Sequence, residues 1–277
     1  MQNRMEYAIW VVSPDNNIHS RCFEEVALCL QEALQQMGHR CDVIKAPEFH
    51  HDVIIVLGGH LLDRNWHYSG TAKFIFYNLE QSERLTGAYT DILRRHVVWD
   101  YSMTNIAALE KLGIKAGYCE IGYMSALTKI DNLPPQNQDI EVLFYGSVNK
   151  YRKKILEDLL KNGIKTVSLF GVYGTLRDDF IARSKIILNM HFYEGKLFEL
   201  VRCSYVMANR KCIVSEFGQE PELEQKYYKA IAFADYDNLI DKITHLLADD
   251  ALRTSFEKQA FDVFSQRSQV DILRNIL

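Results

Sequence analysis

The sequence predicts an α/β protein built of two Rossmann-like domains facing each other across a cleft. Short apolar, β-branched runs alternate with amphipathic stretches of helical period along most of the 277 residues, the pattern of parallel sheets covered by helices. The alternation breaks once, between Tyr123 and Asp139, where "MSALTKIDNLPPQNQD" is polar and carries Pro134 and Pro135. The parts on either side of this linker are similar in size, so the expected domains are 1–130 and 131–277.

In the first part "YAIWVVS" reads as a strand, "CFEEVALCLQEALQQMG" as a helix closed by Gly38, and "CDVIKA" and "DVIIVLG" as strands. The strand "AKFIFYN", the helix "AYTDILRR", the strand "HVVWDYS", the helix "MTNIAALEKLG" and the strand "KAGYCEIGY" follow. After the linker come the strand "IEVLFYGS", the helix "KYRKKILEDLLKNG", the strand "KTVSLFG", the short helix "LRDDFIARS" and the strand "KIILN". A helix begins near Leu197, because Leu197, Leu200, Val201, Ser204, Tyr205 and Ala208 share one face. "CIVSE" and "AIAFA" add strands, and residues 236–268 supply two closing helices.

With 48% hydrophobic and 25% charged residues the chain has ordinary globular composition, and a net charge of -4 gives no reason to expect nucleic acid or an anionic membrane as principal partner. Its six cysteines form no CxxC pair and no dense framework, so they read as reduced, mostly buried thiols. No apolar run is long enough for a signal peptide or a membrane span, and the expectation is a soluble, cytoplasmic protein with no integral membrane segment.

The polar residues fall at strand-to-helix junctions, where parallel sheets bind ligands and helix N-termini offer free N–H groups to anions. "NMHFYEGKLFELVR" puts His191, Tyr193, Glu194 and Gly195 after a strand, with Glu199 and Arg202 near a helix start. Glu199 suits a ligand contact or simple complementarity to the helix dipole, and Arg202 a phosphate or an i, i+3 pair with Glu199. "YGSVNKYRKK" places Gly146 and Ser147 at a strand end, with Arg152, Lys153 and Lys154 in the next first turns. An anion there or a solvated basic face explains them. His19 and Ser20 follow the first strand, and Asn78, Glu80 and Gln81 end another. His19 reads as a base or a surface residue, and Glu80 as the rival base or a capped turn.

The segments "LFYGSVNKYRKKIL", "HFYEGKLFELVRCSYVMANRKCIVSE" and "FIFYNLEQ" together resemble a bacterial glycosyltransferase of the two-Rossmann-domain (GT-B) type, similar to the spore-coat-protein (CgeB)-like group. The resemblance is clearest from about Ile140 to Ala234. It implies that the second domain binds a nucleotide sugar and the first an acceptor. Nucleotide-sugar binding then falls to Gly146, Ser147, Arg152, Lys153, His191, Tyr193, Glu194, Glu199 and Arg202, with Glu199 receiving two ribose hydroxyls. His19 and Glu80 are the catalytic candidates. Here Glu194-Gly195 is followed by Glu199 five residues after Glu194, and no Gly-Pro turn follows.

The function expected is transfer of a sugar from a nucleotide-sugar donor to the hydroxyl of a carbohydrate or glycoconjugate acceptor, in surface polysaccharide or glycoconjugate assembly. The alternative is a non-catalytic nucleotide- or sugar-binding module. A methyltransferase is disfavoured because no glycine-rich loop follows the first strand, and neither a Walker loop nor GxGxxG is present. Without a DxD-like carboxylate pair at a strand end, no metal and no cofactor is expected.

Overall fold

A computed structural model of the chain describes residues 4–14, 17–46 and 50–277. It divides into two compact units, Met1–Leu127 together with Arg267–Leu277, and Thr128–Gln266.

The first unit runs β1 (Glu6–Val11), α1 (Glu24–Gln36), β2 (Arg40–Ile44), β3 (Val53–Leu57), β4 (Lys73–Asn78), α2 (Gly87–Leu93), β5 (Val97–Asp100), α3 (Met103–Lys111) and β6 (Ala116–Tyr118). The six strands form one sheet in the order β2-β1-β3-β4-β5-β6, and every pairing is parallel. Central strand β3 is "VIIVL", buried at all five positions, because helices cover both faces of such a sheet and leave no face for polar residues. One face of α1 buries Val26, Leu30, Ala33 and Leu34 at helical spacing.

The second unit runs β7 (Ile140–Tyr145), α4 (Lys150–Lys161), β8 (Thr166–Leu169), α5 (Thr175–Ala182), β9 (Ser184–Asn189), α6 (Leu200–Ala208), β10 (Cys212–Glu216), α7 (Pro221–Gln225), β11 (Ala232–Ala234), α8 (Leu239–Ala248) and α9 (Asp250–Ser265). Its five strands are ordered β11-β10-β9-β7-β8, again all parallel. Asn149 caps α4 by accepting the backbone N–H of Arg152 at 2.9 Å, and Ile155, Leu156 and Leu159 on that helix join Val142, Ile186, Leu188 and Val214 in one core.

Two expectations need correction. The last eleven residues, Arg267–Leu277, belong to the first unit and not to a domain spanning 131–277. There α10 (Gln269–Ile276) packs on α1 with Val270 and Leu273 buried. Arg267 donates twice to the buried Glu120 carboxylate, at 2.8 and 2.6 Å, and the Gln269 side chain accepts the Gly122 N–H at 2.7 Å. The boundary at Leu127 follows from Asn209 of the second unit, whose Oδ1 accepts the N–H groups of Lys129 and Ile130 at 2.8 and 2.9 Å. Second, the helix expected from Leu197 starts at Leu200, and Glu199 is its N-cap residue. The apolar 197–198 pair that imitates helical spacing is buried in the preceding loop, where Glu220 accepts the Phe198 N–H at 3.1 Å. Among the described residues no helix is long and apolar enough to cross a membrane.

Candidate functional site

In the second unit the strand-end residues of β7, β9 and β10 build one polar cluster. Strand β9 ends in Asn189, and the chain then places His191 and, after a tight loop, Glu199 beside it. Lys196 holds that loop in a left-handed conformation, φ 45°. The Glu199 carboxylate, 14% exposed, accepts from Arg152 Nη2 at 3.2 Å and Asn189 Nδ2 at 3.0 Å, and lies 3.2 Å from His191 Nδ1. Burial alone would raise its pKa, but His191, Arg202 and Arg152 outweigh burial and hold it at about 2. His191 is 1% exposed; burial works against its charge, yet Glu199, Glu216 and Glu224 raise its pKa overall. Its Nε2 has no hydrogen-bond partner among the described residues.

Arg152 is inside the fold, 3% exposed, and clamps the strand ends together. It donates to the carbonyls of Ser147 at 2.8 Å, His191 at 3.1 Å and Met190. Burial and the neighbouring Arg202 lower its pKa to about 10. Arg202 is the more accessible cation. One of its nitrogens donates to Asn189 Oδ1 at 2.6 Å, and the guanidinium lies over the Tyr145 ring, 5.5 Å from its centroid. The expected i, i+3 pair with Glu199 does not form. Gly146, φ +139°, leaves the guanidinium its place: a Cβ there would stand 2.8 Å from Arg202 Nη2.

The structure thus brings Gly146, Arg152, His191, Glu199 and Arg202 together. Ser147 contributes its carbonyl, its side chain being exposed. Lys153 and Lys154 do not join them: they face solvent and pair with Glu157 and Asp158 one turn on, so the solvated face explains both. Glu194 is exposed, and the Tyr193 ring packs edge-on against Phe192.

Sequence reasoning missed a second layer. Glu216, 1% exposed at the end of β10, accepts from Lys196 Nζ at 2.7 Å, from the Tyr151 hydroxyl and from the His191 N–H at 3.2 Å. Tyr151 stacks on Tyr236 at 4.0 Å. Asn189 and Glu216 each close an apolar strand, and that position is the signal that would have found them.

In the first unit His19 is exposed in a short turn, its N–H donating to Asn17 Oδ1 at 3.1 Å. Glu80 lies 3.5 Å from His60 Nε2, and its carbonyl accepts from the side-chain amides of Asn78 and Asn105 at 3.0 and 2.8 Å. Burial raises the Glu80 pKa, with Arg84 opposing, while burial and Arg84 push His60 down to about 4. His60 follows "LGG": Gly58 is left-handed, φ 75°, and a Cβ on Gly59 would meet Phe76 at 2.7 Å. The sequence reading did not single out His60, although adjacent parallel strands β3 and β4 bring it level with Glu80.

No family model matches the chain. It is 34% identical over 113 residues to the uncharacterized protein L138 of Acanthamoeba polyphaga mimivirus, covering 40% of this chain and 13% of L138. To L140 of the same virus it is 28% identical over 172 residues, 58% of this chain and 55% of L140. The matches therefore span only part of these relatives. Among solved structures it is similar to Anabaena HepE in complex with UDP and glucose, with TM-score 0.64 and 12% identity, covering 99% of this chain and 98% of HepE. AviGT4, a glycosyltransferase involved in avilamycin A biosynthesis, aligns with TM-score 0.60 and 14% identity over 98% of this chain and 95% of its own. An α-glucosyltransferase solved with UDP and a 13-mer DNA aligns with TM-score 0.62 and 10% identity, over 98% and 100%. These likenesses establish the architecture: two parallel-sheet α/β domains in the fold of GT-B glycosyltransferases.

Proposed function

We propose that the chain is a cytoplasmic, nucleotide-sugar-dependent glycosyltransferase of the spore-coat-protein-like kind, acting in the assembly of a surface polysaccharide or glycoconjugate. The observation that carries this reading is the Arg202 guanidinium at the carboxyl edge of the second sheet. Arg202 is bound on one side to Asn189 and stands beside Gly146 and the N-terminus of α6. A cationic fork with uncommitted N–H groups, at the positive end of a helix dipole, is suited to a diphosphate. The solved structures with UDP have the same architecture and support a nucleotide as the ligand.

In this reading the acceptor oxygen attacks the anomeric carbon, the bond to the diphosphate breaks, and the departing charge is met by Arg202 and the helix N-terminus without a metal. The acceptor is a carbohydrate hydroxyl bound by the first unit, where the His60–Glu80 pair is the candidate for taking its proton.

Thermal shift against a panel of nucleotide sugars tests the reading, because a ligand stabilises by RT ln(1 + [L]/Kd). One nucleotide sugar raises the melting temperature and is slowly hydrolysed to the nucleoside diphosphate. Binding without hydrolysis in any condition identifies a non-catalytic module instead, and no shift with any donor refutes nucleotide-sugar binding. Hydrolysis that vanishes with a chelator and returns with a divalent ion refutes metal independence.

A further inference from the structure

Glu199 is the most evident polar residue of the junction, yet its carboxylate is already engaged. Two donors and an ion-pair partner surround its two oxygens: Arg152 on Oε1, Asn189 on Oε2, and the His191 ring beside Oε2. A carboxylate offers about four acceptor sites, so little remains for two ribose hydroxyls.

Asn189 is fully buried, and its amide is used at both ends. Nδ2 donates to Glu199 Oε2 and to Ser215 Oγ, each at 3.0 Å, which turns Oδ1 toward Arg202 Nη1 at 2.6 Å. The carboxylate therefore decides which way the amide faces, and the amide decides where the guanidinium stands. The Arg202 guanidinium makes no other hydrogen bond or ion pair among the described residues, so its remaining N–H groups are uncommitted. Because Arg152 and His191 already balance Glu199, the charge of Arg202 is not cancelled locally.

We propose that Glu199 and Asn189 are positioning residues, and that the group they position, Arg202 seated over Gly146, is the phosphoryl-binding residue for a diphosphate. The nucleoside part of that ligand rests on the glycosyltransferase reading; the diphosphate part rests on this geometry. A guanidinium whose orientation is fixed can meet two phosphate oxygens with two parallel N–H groups, which a rotating ammonium cannot do. Glu199→Gln breaks the arrangement although it keeps the shape. Arg152 and Asn189 are both donors, so the new amide NH2 must face one of them; the guanidinium has no lone pair to offer, so it faces Asn189, which turns around in response.

The experiment is calorimetric titration of the full chain with inorganic pyrophosphate, UDP and uridine, with melting curves recorded for every variant. Arg202→Gln and Glu199→Gln each weaken pyrophosphate and UDP by a common factor, about ten- to a hundredfold, and leave uridine unchanged. Arg202→Lys, which keeps the charge and leaves the Glu199 contacts to Arg152, Asn189 and His191 in place, falls between wild type and Arg202→Gln and carries the test if Glu199→Gln does not fold. A Glu199→Gln protein that loses UDP and uridine equally while holding pyrophosphate overturns the proposal, because it makes Glu199 a direct ribose contact. Unchanged UDP affinity in Arg202→Gln also overturns it and leaves the glycosyltransferase reading standing. Pyrophosphate binding with no preference for any nucleoside diphosphate does the reverse.

Discussion

Lys211 immediately precedes β10 and has no exposed surface, and its Nζ has no hydrogen-bond partner among the described residues. Burial, with Arg253 adding to it and Glu257 opposing, lowers its pKa from 10.5 to about 8. That gap corresponds to about 3 kcal/mol of folding free energy, since one pKa unit is worth about 1.4 kcal/mol. The sign follows from proton counting. Below about pH 8 the lysine is protonated in both states and the full penalty applies; between about 8 and 10.5 the unfolded chain holds a proton that the folded chain has released, so stability rises with pH. Lys211→Met, which fills similar volume without charge, should therefore be more stable than wild type at pH 7 by up to about 3 kcal/mol, less whatever Glu257 loses with its cation. Urea unfolding of both proteins at pH 7 and pH 9.5 measures the difference, which should narrow at the higher pH. A methionine variant less stable at pH 7, or a difference that ignores pH, would refute the reasoning.

Other expected outcomes are equally direct. His60 should stay neutral down to about pH 4 in an NMR titration, since burial and Arg84 disfavour its charge; a midpoint near the ordinary 6.5 would show a solvated ring. Gly146→Ala should cost about 1–3 kcal/mol for a side chain at φ +139° and weaken pyrophosphate binding by displacing Arg202; intact affinity would remove the seat assigned to it. Arg267→Ala removes the cation that pairs with the buried Glu120 carboxylate and should cost about 3 kcal/mol, read from thermal or urea unfolding; a loss within error would mean that the ion pair does not hold the C-terminal segment in place.

The strand pattern was legible because burial on both faces of a parallel sheet forces continuous apolar runs such as "VIIVL" and "KIILN", and both sheets follow from them. The start of α6 was misplaced because Leu197 and Phe198 are buried in a loop, and periodicity reads burial without distinguishing helix from loop. Short α7 is too brief for a period to register. The return of α10 to the first unit depends on Glu120 and Gly122, some 147 residues away from their partners, so no local signal could reveal it. At the site, residue types at a strand end could be named, but whether Arg152 faced solvent or the interior depended on carbonyls contributed by three separate positions.

The same device recurs at the carboxyl edge of each sheet, which argues that it is a property of how these edges are built. Strands β4 and β9 are apolar runs that end in asparagine, Asn78 and Asn189, both essentially without exposure. Where a strand ends, the backbone ladder no longer dictates the partners, and one amide side chain can supply donors and an acceptor together. Asn78 donates to Asp100 Oδ2 at 2.7 Å and to the Glu80 carbonyl, while its Oδ1 accepts from the Tyr89 hydroxyl at 3.3 Å. Asn189 donates to Glu199 and Ser215 and accepts from Arg202. In each case an ionisable group with uncommitted capacity, Glu80 or Arg202, is located by an asparagine with none. A buried amide left unpaired costs about 1–3 kcal/mol, so such an asparagine persists only where its partners are fixed as well. An apolar strand closing on asparagine, followed within about ten residues by a charged side chain, is therefore a legible mark of a polar edge built to hold something, although the residue it serves is found only once the strands are paired.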